Sequence, residues 1–501
     1  MLRTAFILCL VACGGAKPAP PPPAPPPAAP PPAAKAPAFS GIWLGTLEAG
    51  GTGVRLQLHL DLAPAPPICS VDSLDQGAMG IACDHVVTSA AELSLEVPAV
   101  HGGMKGTISA DGTKLTATWT QGGVEIPFVL ARQATALEAA KAAVDPAMDP
   151  VDIEKIQAVI DADLAKAIAG SLAPSTGIGV TIGVVAHGTR KIFSYGAVKP
   201  DSVFEIGSIT KTFTGLALAQ MVEQKRVRLD EPVRALLPKG TVAAPASGPE
   251  ITLLDLSAQR SGLPRLPDNM KPADPTNPYA DYDAKALYAF LSGHGVAMPA
   301  TPGFGYSNLG VGLLGHALAK RAGTSYEALV KKEITVPLGM RETTITMTPA
   351  LTKRFVPGHA AGNQPQRAWD LNALEGAGAI RSTAADMLTF LEAQLHPDHV
   401  KGRTPEAKTL PAALAASHEV RGEVAPGMHI ALNWFRIDET GSYWHNGATG
   451  GFSSFAIFDP AKDVAVIVLC NRSIDDGTLA DDLGKHVAQR MLGRPAITIG
   501  P

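Results

Sequence analysis

Ser208 and Lys211 stand one helical turn apart in Phe204-Glu205-Ile206-Gly207-Ser208-Ile209-Thr210-Lys211-Thr212-Phe213-Thr214-Gly215. A serine hydroxyl is a poor nucleophile until a neighbour removes its proton, and an amine is one recognised neighbour. Beyond Ser208 the apolar residues Leu216, Leu218, Met221 and Val222 follow helical spacing. Ser208 is therefore expected at a helix N-terminus, where the helix dipole favours developing negative charge, with Lys211 on the same side. A bare Ser-x-x-Lys is expected by chance about once or twice in a chain this long, so a serine cap beside a solvated lysine reads equally well from this motif alone.

Two further motifs raise its significance. Tyr306-Ser307-Asn308 lies in Pro302-Gly303-Phe304-Gly305-Tyr306-Ser307-Asn308-Leu309-Gly310, a turn leading into a Gly/Leu-rich helix. His445-Asn446-Gly447 lies in Tyr443-Trp444-His445-Asn446-Gly447-Ala448-Thr449-Gly450, followed by strand-like runs over 453–458 and 464–469. Ser-x-x-Lys, Tyr-x-Asn and His-x-Gly in this order resemble the serine β-lactamases of class C and the related D-alanyl-D-alanine carboxypeptidases, D-aminopeptidases and esterases. Supporting stretches are Val227 to Val233, Leu253 to Pro264 (LLDLSAQRSGLP) and Gly376 to Phe390. The resemblance covers roughly residues 150–495 and implies an antiparallel sheet flanked by helices beside an all-helical lobe, with the site between them.

Carried over residue by residue, the resemblance makes Ser208 the acylated nucleophile and Lys211 with Tyr306 the proton-shuttling pair. An ammonium beside a phenol favours the phenolate, which leaves the resting protonation of the two open. Asn308 would bond the substrate amide or Lys211. The backbone N–H groups of Ser208 and Ala448 would form the oxyanion hole, with Gly447 allowing close approach of a strand to substrate. Relatives with β-lactamase activity usually carry Lys at the position of His445, and histidine is largely neutral near pH 7. The expected activity is therefore acyl transfer to water on an ester or peptide, D-amino-acid-containing peptides included. The alternatives are a true class C β-lactamase or a non-catalytic peptidoglycan-binding relative. No Gly-x-Ser-x-Gly and no phosphate- or dinucleotide-binding glycine loop in context compete with this reading.

The elements that position these residues follow from patterning. The 501 residues are 46% hydrophobic, 18% charged and 5% aromatic, with a formal net charge of −4. That balance allows two or three domains and argues against disorder and against a nucleic-acid partner. A hairpin is expected from Val180 to Ala186 and Lys191 to Tyr195, turning at His187 to Arg190. Upstream, residues 39–133 alternate apolar and polar residues between Gly and Asp turns and are expected to form a small antiparallel sheet or barrel. Cys69 and Cys83 are the cysteine pair there, and an oxidising compartment would join them as a disulfide. Residues 134–150 read as a linker with a short helix, Ala136 to Val144 (Thr135 and Glu138 as a capping box), ahead of a helix over 153–169 capped by Asp152. The β-lactamase-like domain is placed at 151–496.

The N-terminus carries a processing pattern. Met1-Leu2-Arg3 precedes a short apolar run ending Leu10-Val11-Ala12-Cys13-Gly14-Gly15. This resembles a bacterial lipobox: a signal peptide over 1–12 and lipidation of Cys13, hence an exported, membrane-anchored lipoprotein of the cell envelope. Residues 13–38 form a Pro/Ala-rich linker, with 12 of the 43 prolines between 16 and 38, expected as an extended polyproline spacer. No metal and no cofactor are expected. His59, His85 and His101 lie among strand exteriors and turns, and His396-Pro397-Asp398-His399 has no third ligand nearby. Cys470 ends an apolar strand and reads as core. The expected partners are a small-molecule or peptide substrate and a membrane through the lipid anchor; the sequence carries no signal for an oligomeric state.

Overall fold

A computed structural model describes residues 39–49, 52–64, 67–73, 78–89, 91–97, 100, 102–121, 124–133, 149–165, 168, 170–473, 479–497 and 499. The expectations for the signal segment, Cys13, the Pro/Ala-rich linker, His101 and the helix over 136–144 lie outside the described residues.

The first unit is an all-antiparallel meander. Its strands are β1 (Gly41–Ala49), β2 (Thr52–Asp61), β3 (Ile68–Ser73), β4 (Ala78–Ala82), β5 (Asp84–Thr88), β6 (Glu92–Val97), β7 (Gly102–Ile108), β8 (Lys114–Gln121) and β9 (Val124–Gln133). They pair in the order β4-β3-β2-β1-β9-β8-β7-β6-β5. β4 and β5 end the sheet on opposite sides, yet Cys83 alone separates them in sequence. The sheet must therefore roll until its edges meet, which makes it a barrel. Period-2 alternation turns Trp43, Leu58, Leu93, Leu95, Leu115, Trp119 and Leu130 into one core. Cys69 and Cys83 are joined as a disulfide at the bend.

The second unit is built on an eight-stranded antiparallel sheet. Its strands are β10 (Gly179–Ala186), β11 (Thr189–Gly196), β12 (Gly422–Ala425), β13 (Met428–Ile430), β14 (Phe435–Ile437), β15 (Tyr443–Ala448), β16 (Ser453–Asp459) and β17 (Val464–Cys470). The order is β11-β10-β17-β16-β15-β14-β13-β12. Both faces are covered, which is why β17 reads as an unbroken apolar run. Val466, Val468 and Cys470 pack with α1 (Ile156–Asp163) and the C-terminal helix over Leu479–Met491. Ala465, Ile467 and Leu469 face the larger core, with α2 (Thr210–Glu223), α3 (Asn308–Ala322) and α4 (Ala384–Leu395). Cys470 is buried core, as expected.

Two local expectations are corrected. The β10–β11 turn holds two residues, not four: Ala186 pairs with Thr189, and His187 and Gly188 take φ of 49° and 76°. Two successive left-handed residues match the twist of a tight hairpin. α1 starts at Ile156, and Asp152 does not cap it; its carboxylate accepts from Glu154 N at 2.8 Å in the preceding turn. α2 follows the helical spacing read after Ser208. Every residue from Thr210 to Met221 is buried, so it is the central helix of the unit.

Candidate active site

Ser208 sits in a tight turn, Gly207–Ile209, that runs directly into α2. The turn is held from several sides. Phe204–Glu205 pairs antiparallel with Arg381–Ser382. Ile206 N donates to Ile380 O at 3.0 Å, and Ile206 O accepts from the Ser454 hydroxyl of β16 at 2.9 Å. Beneath it, buried Arg381 donates to Glu205 at 3.1 Å, to Ile345 O at 2.6 Å and to Trp369 O at 2.8 Å. Burial pushes the Glu205 carboxyl up, and the Arg381 charge opposes that.

Two glycines bring the turn against β15. Gly207 has φ +50°, and a Cβ there would stand 2.5 Å from Ala448 N and 2.8 Å from Ala448 O. A Cβ on Gly447 would stand 2.1 Å from Ile206 O and 2.5 Å from Ser454 Oγ. Gly447 was expected to make room for substrate. Its bare face instead meets the nucleophile turn, so it serves the scaffold. Gly207 and Ala448 are thereby in close backbone approach, which brings the Ser208 turn to the strand whose Ala448 N–H is the second expected oxyanion donor.

Lys211 is fully buried. Its Nζ lies 2.9 Å from Ser208 Oγ, 2.8 Å from Asn308 Oδ1 and 2.7 Å from Ala377 O. Burial, then the Arg265 charge, holds the amine well below the ordinary lysine range. Nζ donates to all three: Asn308 Oδ1 and Ala377 O only accept, and the Ser208 hydroxyl accepts here. Loss of one proton from Nζ would turn the Ser208 contact round, leaving a lone pair for the Ser208 proton while Asn308 and Ala377 keep the two remaining N–H groups.

Tyr306 lies on the loop before α3, its ring centre 4.9 Å from Lys211 Nζ and 5.3 Å from Arg265 Cζ. Burial pushes its phenol up to about 12, with the Ser208 hydroxyl and the Arg265 charge pulling the other way. One residue holds both flanks of this tyrosine. Gln259 O accepts from Gly305 N, and Gln259 Oε1 accepts from Ser307 N, each at 2.7 Å. Ser307 caps α3, accepting from Gly310 N at 2.8 Å, and donates to Pro264 O at 2.7 Å. Asn308 is oriented by Tyr279, to whose hydroxyl it donates at 3.3 Å.

His445 is 1% exposed, its ring 6.3 Å from that of Tyr306 and 5.3 Å from that of Phe435. Nδ1 lies 2.5 Å from Asn446 O, the geometry of an Nδ1–H donor. Burial, with the Lys211 charge second, brings its pKa down to about 3. It is therefore an uncharged imidazole near neutral pH.

The structure thus brings Ser208, Lys211, Tyr306, Asn308, His445 and Ala448 to one place. It adds Gly207, Gln259, Arg265, Tyr279 and Ala377, none of which was singled out from the sequence as a site residue. Gln259 lies inside the 253–264 stretch and Arg265 directly after it, so position was the available signal for those two. Arg265, Phe304 and Tyr306 end a cleft of about 1740 Å³ that runs on between the β12–β13 hairpin and the barrel wall at Gly80–Ala82 and Gly102–Lys105. Ser208 is not part of its lining. Among the described residues no three His, Cys, Asp or Glu side chains are grouped to hold a metal. His59 bonds Asp72 at 2.6 Å, His85 sits exposed at the barrel bend, and His396 bonds Asp463 at 2.6 Å. Nor is any described helix long and apolar enough to cross a membrane.

Comparison with known proteins finds similar chains. A family model described as Beta-lactamase matches residues 164–489. The D-alanyl-D-alanine-carboxypeptidase/endopeptidase AmpH of Escherichia coli K12 is 28% identical over 309 residues, 58% of this chain and 78% of the relative. A β-lactamase of Pseudomonas fluorescens is 26% identical over 339 residues, 59% of this chain and 88% of the relative. Penicillin-binding protein 4 of Amycolatopsis lactamdurans is 26% identical, covering 64% and 81%. Among solved structures, a class C β-lactamase from Rhodobacter sphaeroides superposes with a TM-score of 0.53 at 26% identity, covering 64% of this chain and 94% of that one.

Proposed function

Because this chain belongs to the β-lactamase family, we propose that it is a serine hydrolase working through an acyl-enzyme on Ser208, with an ester or a peptide as substrate in preference to a β-lactam. The observation that carries this reading is the contact of the buried Lys211 Nζ with Ser208 Oγ at 2.9 Å, where loss of a proton from the amine leaves a lone pair facing the hydroxyl. A buried neutral amine is a competent general base.

In this mechanism Lys211 takes the Ser208 proton as Oγ bonds to the substrate carbonyl carbon. The carbonyl oxygen becomes an oxyanion and accepts from the N–H groups of Ser208 and Ala448. The tetrahedral intermediate collapses, the scissile C–O or C–N bond breaks, and the Tyr306 phenol gives its proton to the leaving atom. The Lys211 ammonium then returns a proton to the tyrosine. Water repeats the sequence on the acyl-enzyme, with Ser208 as the leaving group. Asn308 holds Lys211 in place and can turn its amide to substrate.

The preference against β-lactams rests on His445. An uncharged imidazole gives β15 no fixed charge for the carboxylate a β-lactam carries on its ring. The carboxypeptidase/endopeptidase relative supports the peptide branch. The test is a substrate panel on the full chain. The kcat/KM for p-nitrophenyl esters or D-alanyl peptides is expected to exceed that for nitrocefin; the reverse order makes the chain a β-lactamase.

The localisation we propose is the cell envelope, with Cys13 lipidated after removal of residues 1–12 and residues 13–38 as a spacer. It rests on the lipobox-like Leu10-Val11-Ala12-Cys13 alone. A diacylglyceryl mass on Cys13 in the mature protein is the expected result, and an N-terminus elsewhere contradicts it.

A further inference from the structure

The residues around Ser208 offer little charge free for a substrate. Lys211 is fully buried and bonded to Ser208, Asn308 and Ala377, His445 is uncharged, and Arg381 is spent on Glu205. Arg367, on the segment leading to Trp369, is spent on Asp274 at 2.9 Å. Arg265 differs from all of these. Its side chain is exposed at the end of the cleft beside Tyr306 and Phe304. No described carboxylate forms an ion pair with it. A guanidinium cannot lose its proton, so this charge is permanent.

Its place is fixed from below. Arg265 O accepts from Leu309 N at 3.2 Å, and the preceding Pro264 O accepts from Ser307 Oγ at 2.7 Å. Both bonds tie the arginine loop to the segment that carries Tyr306 and starts α3. The guanidinium lies 5.3 Å from the Tyr306 ring centre, the range in which a cation is attracted to an aromatic ring. A rigid backbone, a planar fork and an aromatic neighbour hold an unpaired cation next to the reacting groups. With no carboxylate partner among the described residues, its N–H groups are open to an anion.

We propose that Arg265 is a substrate-binding residue that pairs with a carboxylate on the substrate, close to the scissile ester or amide. This rests on the acyl-enzyme reading above and names the substrate class of that site. The carboxylate is met from the Tyr306 loop rather than from β15. A flexible ester or peptide can swing its carboxylate to that loop. A β-lactam, whose carboxylate is fixed on its ring, has less freedom to do so.

The test compares two p-nitrophenyl esters of similar size on the full chain: the hemisuccinate, with a free carboxylate, and the neutral butyrate. Charge-assisted hydrogen bonds of this kind are worth about 10- to 150-fold in affinity. The wild type is expected to favour the hemisuccinate in kcat/KM by at least about 10-fold. Arg265→Gln is expected to erase that ratio mainly through KM, and Arg265→Lys to restore part of it. Raising salt from about 20 to 500 mM is expected to shrink the wild-type ratio, since ions screen an exposed pair; this arm needs no variant. A wild-type ratio near one, or equal losses on both esters in Arg265→Gln, overturns the proposal and leaves Arg265 as a modulator of Tyr306. Failure of the acyl-enzyme reading shows separately, as no fluorophosphonate labelling of wild-type Ser208.

Discussion

The barrel and the catalytic unit bury their side chains by opposite rules. In the barrel, alternation sends Trp43, Leu58, Leu93 and Leu115 into the core, and the described buried polar side chains there are Gln57, Asp72 and Ser73, with part-exposed His59 bonding Asp72. The catalytic unit buries Lys211, Thr210, Thr212, Thr214, Gln220, Glu205, Arg381, Gln259 and His445. Polar burial costs stability unless each group is satisfied, and a buried charge costs more. The first unit therefore looks like a fold kept for packing, and the second spends stability on placing reactive groups. Chemistry is to be sought where polar groups are buried with partners aimed at one serine.

The largest expected effect is on Lys211. Lys211→Met is expected to lower kcat/KM on a neutral ester by about 10²- to 10⁴-fold, the scale of a lost general base. The pH profile sharpens this. The working form of Lys211 is neutral, so the rate should fall as pH drops through its pKa, because the protonated amine has no lone pair for Ser208. Burial lowers that pKa, so the fall should lie well below the ordinary lysine range. A rate still climbing near pH 10 would mean an ordinary lysine and would break the contrast between the units.

Gly207→Ala comes next. Its Cβ would strike Ala448 N and O, so Ala448 must move away from Ser208. Loss of one oxyanion donor costs about 10²- to 10³-fold in kcat. KM for a neutral ester should change far less; a variant with near wild-type kcat would remove Ala448 from the oxyanion hole.

The smallest effect on activity is expected in the barrel. Trp43→Ala empties a fully buried site and should cost about 3–5 kcal/mol of barrel stability, seen as an early unfolding transition. Turnover of a short neutral ester should be unchanged below that transition. A parallel loss of activity would show that the catalytic unit depends on the barrel for its own geometry.

How far the sequence was legible follows the same division. Alternation announced the barrel, but not its closure, which depends on the two sheet edges meeting at Cys83. Ser208, Lys211 and Tyr306 were legible because side-chain type and spacing carry the chemistry. Ala377 was not, because a backbone carbonyl has no side-chain signature and is brought to Lys211 across 166 positions. Gln259 hides for a similar reason: its bonds to Gly305 and Ser307 exist only once the loop is folded. The reason for Gly447 was misread because glycine's requirement depends on which neighbour comes close, here Ile206 O.

The central claim is that a buried lysine, acting through its neutral form, turns Ser208 into the nucleophile, and mapping a covalent adduct tests it most directly. The full chain is incubated with a fluorophosphonate at pH 7, digested and examined by mass spectrometry, alongside Lys211→Met and Ser208→Ala. The account predicts one adduct, on Ser208, formed much more slowly in Lys211→Met and absent in Ser208→Ala. An adduct on another residue, or labelling of Ser208 at the wild-type rate without Lys211, would contradict it.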